Sequence, residues 1–218
     1  AFTAALLNAQ PMGFYGPSQL VRDARAHGVE VRPVDVRRSE AGSSLEPDGQ
    51  GGAALRLGLD RVRGLSAGAR ERIPAARARG AFADVAELAR RARLGQRDLD
   101  ALAAADALAG LAGHRHAARW AANGVEATLP LFPEDGEEVP PPALRALREG
   151  ESIRDDYAST GLTLRRHPLA LLRGRLGRWR TAERVRGLAH GDRVLTGGLV
   201  ITRQQPSTAT GVTFITLE

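Results

Sequence analysis

The 218-residue sequence contains no cysteine and no lysine. The first absence excludes a disulfide scaffold, a thiolate zinc site and a cysteine nucleophile, and it fits a reducing, cytoplasmic setting. The second excludes a Walker-type Gly-Lys phosphate loop. No run approaches the ~18 apolar residues that a membrane span needs, and the start of the chain lacks the charged head and apolar middle of a secretory signal. No membrane partner is therefore expected. The only methionine is Met12, while residue 1 is Ala. The chain reads as a piece cut from something longer.

All 31 basic residues are arginine, and against 25 acids they leave a net charge of +6. Arg-for-Lys usage of this kind also follows from a GC-rich genome, so the distribution of charge says more than its total. Residues 61–97 carry a net +7, residues 126–156 a net −6 and residues 160–193 again +7. Two basic blocks flank an acidic one, a segregation that suits a polyanion contacted at two places. Solvated helix faces with an accidental bias would produce the same pattern.

At roughly 150 residues per domain, the chain holds one large or two small cores. Its patterning is mainly α with small β parts. Residues 1–38 read as a short apolar helix to Asn8, a turn, and a helix N-capped by Ser18 and stopped at Gly28. Residues 29–36 then alternate like a strand, which Pro33 confines to a sheet edge. A loop is expected over residues 39–52.

Residues 53–123 form a small helical domain. Leu55, Leu57 and Leu59 alternate over a short strand. Asp84 caps a helix whose Val85, Leu88, Ala89 and Ala92 share one face, and Leu99, Leu102 and Ala103 continue that period. Residues 124–160 are an acidic, proline-bearing linker ending in a helix over 143–157. The last segment, 161–218, is a basic connector followed by strands over 193–203 and 211–217. Two strands with an apolar face are marginal, so the rest of this sheet is expected beyond Glu218.

Val62-Arg63-Gly64-Leu65-Ser66 fits the hairpin of a helix-hairpin-helix unit. Gly64 can take the positive φ of a tight turn, and the next helix then offers unpaired N–H groups and a positive dipole end to a phosphate. Arg61, Arg63, Arg70 and Arg72 surround that mouth, and Ser66 stands at the helix start. Such a contact reads backbone and not bases, so binding should be sequence-independent and salt-sensitive. Pro74 should shorten or bend the helix. A second hairpin over 102–108 carries Asp106 where glycine is expected; its carboxylate repels phosphate, and this copy reads as structural.

Thr128-Leu129-Pro130-Leu131-Phe132 places apolar anchors in the acidic linker, suited either to a partner's pocket or to packing back on the helical domain. The five histidines show no metal or triad spacing with carboxylates. Asp98 and Asp100 face opposite sides of a helix, and Asp155-Asp156 reads as a solvated helix end. No catalytic constellation is present.

The wording of residues 5–15, 20–25 and 28–35, with Leu55-Arg56-Leu57-Gly58-Leu59, Gly64-Leu65-Ser66, residues 161–169 and Phe214-Ile215-Thr216-Leu217-Glu218, closely resembles bacterial C-family DNA polymerases, the alpha subunits of DNA polymerase III. Asp156-Tyr157 with Ser159-Thr160-Gly161-Leu162, Arg166-His167-Pro168-Leu169 and Ala104-Ala105-Asp106-Ala107 look most like the error-prone, damage-inducible branch. The resemblance is thin over 39–53, 124–150 and 174–192.

It implies the end of the fingers region at 1–38, a tandem helix-hairpin-helix domain at 39–123, and the first hairpin of an OB-fold barrel in 161–218. It further implies that the catalytic palm, whose aspartates hold two Mg²⁺ ions, lies N-terminal to this chain, so the piece is inactive alone and holds no cofactor. The expected partners are primer-template DNA, gripped by the Gly64 hairpin, and single-stranded template, approached by Arg203, Gln205 and Thr208 in the loop up to Thr210. Residues 128–132 resemble a sliding-clamp pentapeptide, but Thr128 replaces its glutamine. Clamp contact is then weak, or delegated to an accessory translesion protein. Ser66 stands where the family often has glycine, and Thr210 where a basic residue is common. The competing reading is a free-standing, non-enzymatic adaptor built from helix-hairpin-helix and OB pieces; an unused, damaged reading frame is a third.

Overall fold

Apolar residues at Ala4 and Leu7 lie one turn apart, and they set the buried side of α1 (Phe2–Asn8). The next helix, α2 (Pro17–Ala26), is capped two residues before the expected Ser18. Gly16 is the N-cap, its N–H donating to Gln19 Oε1 at 3.0 Å, and Pro17 takes the first helical position, where its missing donor costs nothing. Gly28, at φ +79°, ends the helix as expected. The structure is a computed structural model that describes residues 1–13, 15–125, 142–208 and 211–218.

The strand expected over 29–36 is shorter: β1 is only Val31–Arg32, because Pro33 cannot extend the ladder. Residues 39–52, expected as a loop, contain a strand. β2 (Ser44–Pro47) runs antiparallel to β3 (Ala53–Arg56), and β1 runs parallel to the other edge of β3, in the order β1-β3-β2. The reason is ionic rather than apolar. Glu46 on β2 accepts from Arg56 Nε at 2.8 Å, Arg56 Nη2 at 2.9 Å and Arg32 Nη1 at 2.9 Å, so one carboxylate ties all three strands. Asn8 adds a second tie, exchanging two hydrogen bonds with the backbone of Ser43.

After a short 3-10 turn (Leu59–Arg61) come α3 (Ala67–Arg77), α4 (Val85–Ala92), α5 (Gln96–Ala104), α6 (Ala109–Ala112), α7 (Arg115–Asn123) and α8 (Glu149–Thr160). α3 continues through Pro74 to Arg77 and is not ended there. Asp84 caps α4, its Oδ1 accepting from the Glu87 N–H at 2.7 Å, and Val85, Leu88, Ala89 and Ala92 are all buried. α8 begins later than the expected residue 143. Its start is set by Glu151, whose side chain accepts from the Arg148 N–H at 2.7 Å.

Leu7, Val21, Val36, Leu55, Leu59, Ile73, Leu88, Leu99, Leu102 and Leu108 belong to one buried cluster. Residues 1–38 therefore share a core with the helical segment that the sequence separates from them. The described chain forms two compact units, 1–165 and 166–218. The second contains α9 (Pro168–Leu172), α10 (Ala182–Arg186) and an antiparallel pair, β4 (Val200–Gln204) and β5 (Phe214–Leu217). Val200, Ile201, Phe214, Ile215 and Leu217 on this pair are each 42–55% exposed, so its apolar side chains are uncovered. The molecule is mostly helical with small sheets, and among the described residues no helix is long and apolar enough to cross a membrane.

Candidate nucleic-acid interface

The Gly64 turn takes the shape its sequence demands. Val62 and Leu65 are buried and pin either side, while Gly64 sits at φ +84°. A side chain is strained in that left-handed region, which glycine enters freely. Ser66 then opens α3, its Oγ accepting from the Ala69 N–H at 3.2 Å. The turn thus delivers a capped helix start to the surface.

Asp98, in the first turn of α5, holds this helix start from behind. Its Oδ1 accepts from the Ser66 N–H at 2.9 Å and its Oδ2 from the Ser66 hydroxyl at 3.0 Å. Asp98 itself is only 7% exposed. The Ser66 amide is therefore already satisfied, and the first-turn donors left at the mouth are those of Ala67 and Gly68, where the helix dipole is positive. The sequence placed Asp98 on a helix face and gave it no partner; a carboxylate three residues after the N-cap Gly95 was the available signal.

The arginines named for this mouth are engaged within the chain, Arg63 while remaining exposed. Arg61 Nη2 donates to Asp60 at 2.6 Å, and Arg70 Nη2 to the Leu65 carbonyl at 3.0 Å. Arg63 donates from its guanidinium to the carbonyls of Tyr157, at 3.1 Å, and Ala158, at 3.2 Å. Arg72 closes the end of α4 through Ala92 O, at 2.7 Å, and Arg93 O, at 3.1 Å. Arg77 and Arg91 likewise bind carbonyls, of Val36 and Ser39, and of Ala76, Gly80 and Ala81. Arg91 also stacks over Phe82 and pairs with Glu87, a carboxyl held below its usual range first by the Ala83 N–H and then by Arg91. Cations near helix C-termini satisfy orphan carbonyls and the negative dipole end, so much of this basic block is scaffold. Arg79, Arg93 and Arg97 are exposed, and among the described residues their side chains make no hydrogen bond or ion pair.

The second basic block behaves differently. In the 166–218 unit, Arg173, Arg175, Arg178, Arg184, Arg186 and Arg193 are all exposed, and their side chains make no hydrogen bond or ion pair among the described residues. Their charge is available to a polyanion. Arg203 lies on β4, and Gln205 and Thr208 on the connection after it, all three exposed. Thr210 and the clamp-like residues Thr128, Leu129, Leu131 and Phe132 lie outside the described residues.

The second hairpin turn contains Asp106 at φ +60°, paired with Arg165 at 3.2 Å. Asp156, expected to be a solvated helix end, is instead half of a buried ion pair, 2.6 Å from Arg115 Nη2. The Arg115 side chain is 2% exposed. Among the described residues no group of three or more His, Cys, Asp or Glu side chains is placed to hold a metal ion.

Comparison with known proteins bears on this geometry. The helix-hairpin-helix motif family matches residues 28–118, which include both turns. Over its whole length the chain is 58% identical to the error-prone DNA polymerase of Alkalilimnicola ehrlichii and 50% identical to that of Methylococcus capsulatus, covering 21% and 23% of those proteins. It is 52% identical to the error-prone DNA polymerase of Pseudomonas paraeruginosa, covering 22% of it. The chain spans about a fifth of the length of the curated relatives it matches.

Proposed function

We propose, for a chain similar along its whole length to error-prone DNA polymerases, that residues 1–218 form the DNA-gripping and partner-docking portion of such an enzyme. The parent would extend a DNA primer with dNTPs during translesion synthesis and repair. The observation that carries the reading is the Gly64 turn, which delivers the capped N-terminus of α3 to the surface within the region matched by the helix-hairpin-helix family.

In this reading the amides of Ala67 and Gly68 receive a backbone phosphate, while Arg79, Arg93 and Arg97 supply charge nearby in sequence. Gly64 and Ser66 shape the turn, and Arg61, Arg63 and Arg70 hold it. The exposed arginines of residues 173–193 supply the second polyanion contact. Residues 1–38 are the end of a fingers region. β4 and β5 begin an OB barrel whose Arg203, Gln205 and Thr208 approach single-stranded template. Residues 128–132 touch a sliding clamp weakly, or through an accessory translesion protein. The chemistry belongs to palm aspartates and two Mg²⁺ ions outside residues 1–218. The carboxylates described above do not cluster in a way that fits those ions, so no step of nucleotide transfer is assigned to them.

Fluorescence anisotropy with two labelled primer-templates of unrelated sequence tests the grip. Equal affinities for the two are expected, because a helix start and arginine charges read phosphates. A preference above about tenfold for either sequence would point to base readout and against this reading.

A further inference from the structure

α8 and the residues just after it, 149–165, lie outside the segment that matches the helix-hairpin-helix family, yet between them they bond to the turns of both hairpins. At the C-terminal end of α8 the Arg63 N–H donates to Ser159 O at 2.8 Å, and the Arg63 guanidinium to Tyr157 O and Ala158 O. The Tyr157 carbonyl also accepts from the Gly161 N–H at 3.1 Å, whereas Ala158 O and Ser159 O lie in the last turn, where carbonyls lack helical partners and the dipole favours a cation. Gly161 follows at φ +78°, and a Cβ at that position would stand 2.8 Å from Arg63 Nη2. The left-handed φ favours glycine there, and a side chain at 161 would also displace the end of the Arg63 side chain from its seat.

The same stretch reaches the other turn. Asp156, about one helical turn before the C-terminus of α8, accepts from Arg115 Nη2 at 2.6 Å and from Thr163 Oγ1 at 2.7 Å, and pairs with Arg165 Nε at 3.3 Å. Arg165 Nη2 then donates to Asp106, the left-handed residue of the second turn, at 3.2 Å.

We infer that residues 149–165 are a strut that sets the position of one hairpin turn against the other, and that Arg63 is a positioning residue of the grip and not a phosphate ligand. The inference rests on the DNA-gripping reading for its functional meaning, but its mechanics can be read without DNA.

The test uses the whole chain with Arg63→Ala, and with Gly161→Ala, which disturbs the same joint without removing a charge. In hydrogen exchange, both variants should raise exchange at residues 64–66 and also at 106–108, which Arg63 does not touch. Exchange raised only at 157–161 would overturn the strut. In DNA titrations, both variants should weaken binding by about fivefold to tenfold, the worth of one or two hydrogen bonds, with the slope of log affinity against log salt unchanged. A slope shallower by about 0.9 for Arg63→Ala, with Gly161→Ala binding normally, would make Arg63 a phosphate ligand and overturn the inference. If the unsubstituted chain fails to bind DNA, the gripping reading fails, while the exchange measurement still decides the strut.

Discussion

Asp98 grips Ser66 with both carboxylate oxygens, one on the backbone N–H and one on the hydroxyl, and so binds the start of α5 to the start of α3. The Ser66 hydroxyl passes the contact on, accepting from Ala69. One buried acid in the first turn of α5 thereby fixes the N-cap residue of α3.

Removing that acid exposes the dependence. Asp98→Ala should cost about 2–3 kcal/mol of folding stability, because the Ser66 N–H and hydroxyl lose a charged acceptor. Ser66→Ala loses the cap and should cost about 1 kcal/mol. Urea unfolding of the two variants measures the difference; equal stabilities for Asp98→Ala and the unsubstituted chain would contradict the assignment.

The three-stranded sheet should fail in acid. Arg56 first, and then Arg32, hold the Glu46 carboxyl at about 2, well below its ordinary value near 4.5. A carboxyl with a lowered folded-state pKa contributes stability above its unfolded value, and that stability drains away as pH falls toward the folded one. The loss should run from about pH 4.5 down to about pH 2. Glu46→Gln should lower stability at pH 7 by about 2 kcal/mol and flatten this acid limb, as thermal melts across the pH range would show.

How far the sequence spoke depends on the kind of signal. Helical periodicity and caps were legible: the Asp84 cap, the buried face of α4 and the glycine turns at Gly28 and Gly64 follow from local chemistry alone. β2 was hidden because Ser44–Pro47 has no apolar alternation, and its pairing depends on Glu46 meeting arginines from two other strands. The pairings of Arg63 with α8 carbonyls and of Asp156 with the buried Arg115 were hidden for the same reason. An arginine that caps a distant helix is indistinguishable in sequence from one that waits for a phosphate.

That difference redirects the electrostatic prediction. From sequence, replacing Arg61, Arg63 and Arg70 together by Ala should flatten the salt dependence of DNA binding. With all three engaged internally, the triple variant should instead lose affinity and stability at a nearly unchanged slope. Replacing the exposed Arg173, Arg175 and Arg178 should reduce the slope, by up to about 0.9 for each phosphate no longer neutralised. Salt titrations of the two triple variants, side by side, separate scaffold arginines from those that meet the DNA.

The shared core makes its own demand. Leu102 is fully buried in the cluster that joins residues from α1 to α7. Leu102→Ala should cost about 2–5 kcal/mol, read as an earlier midpoint in urea. A cost below about 1 kcal/mol would mean that this side chain is not packed as described.

One titration tests the grip most directly: the whole chain against a labelled primer-template, with salt raised from about 50 to 200 mM. Affinity should fall linearly on logarithmic axes, by about a thousandfold if six or more phosphates are engaged. Affinity indifferent to salt, or no binding at the lowest salt, would contradict a protein surface built to hold the DNA backbone.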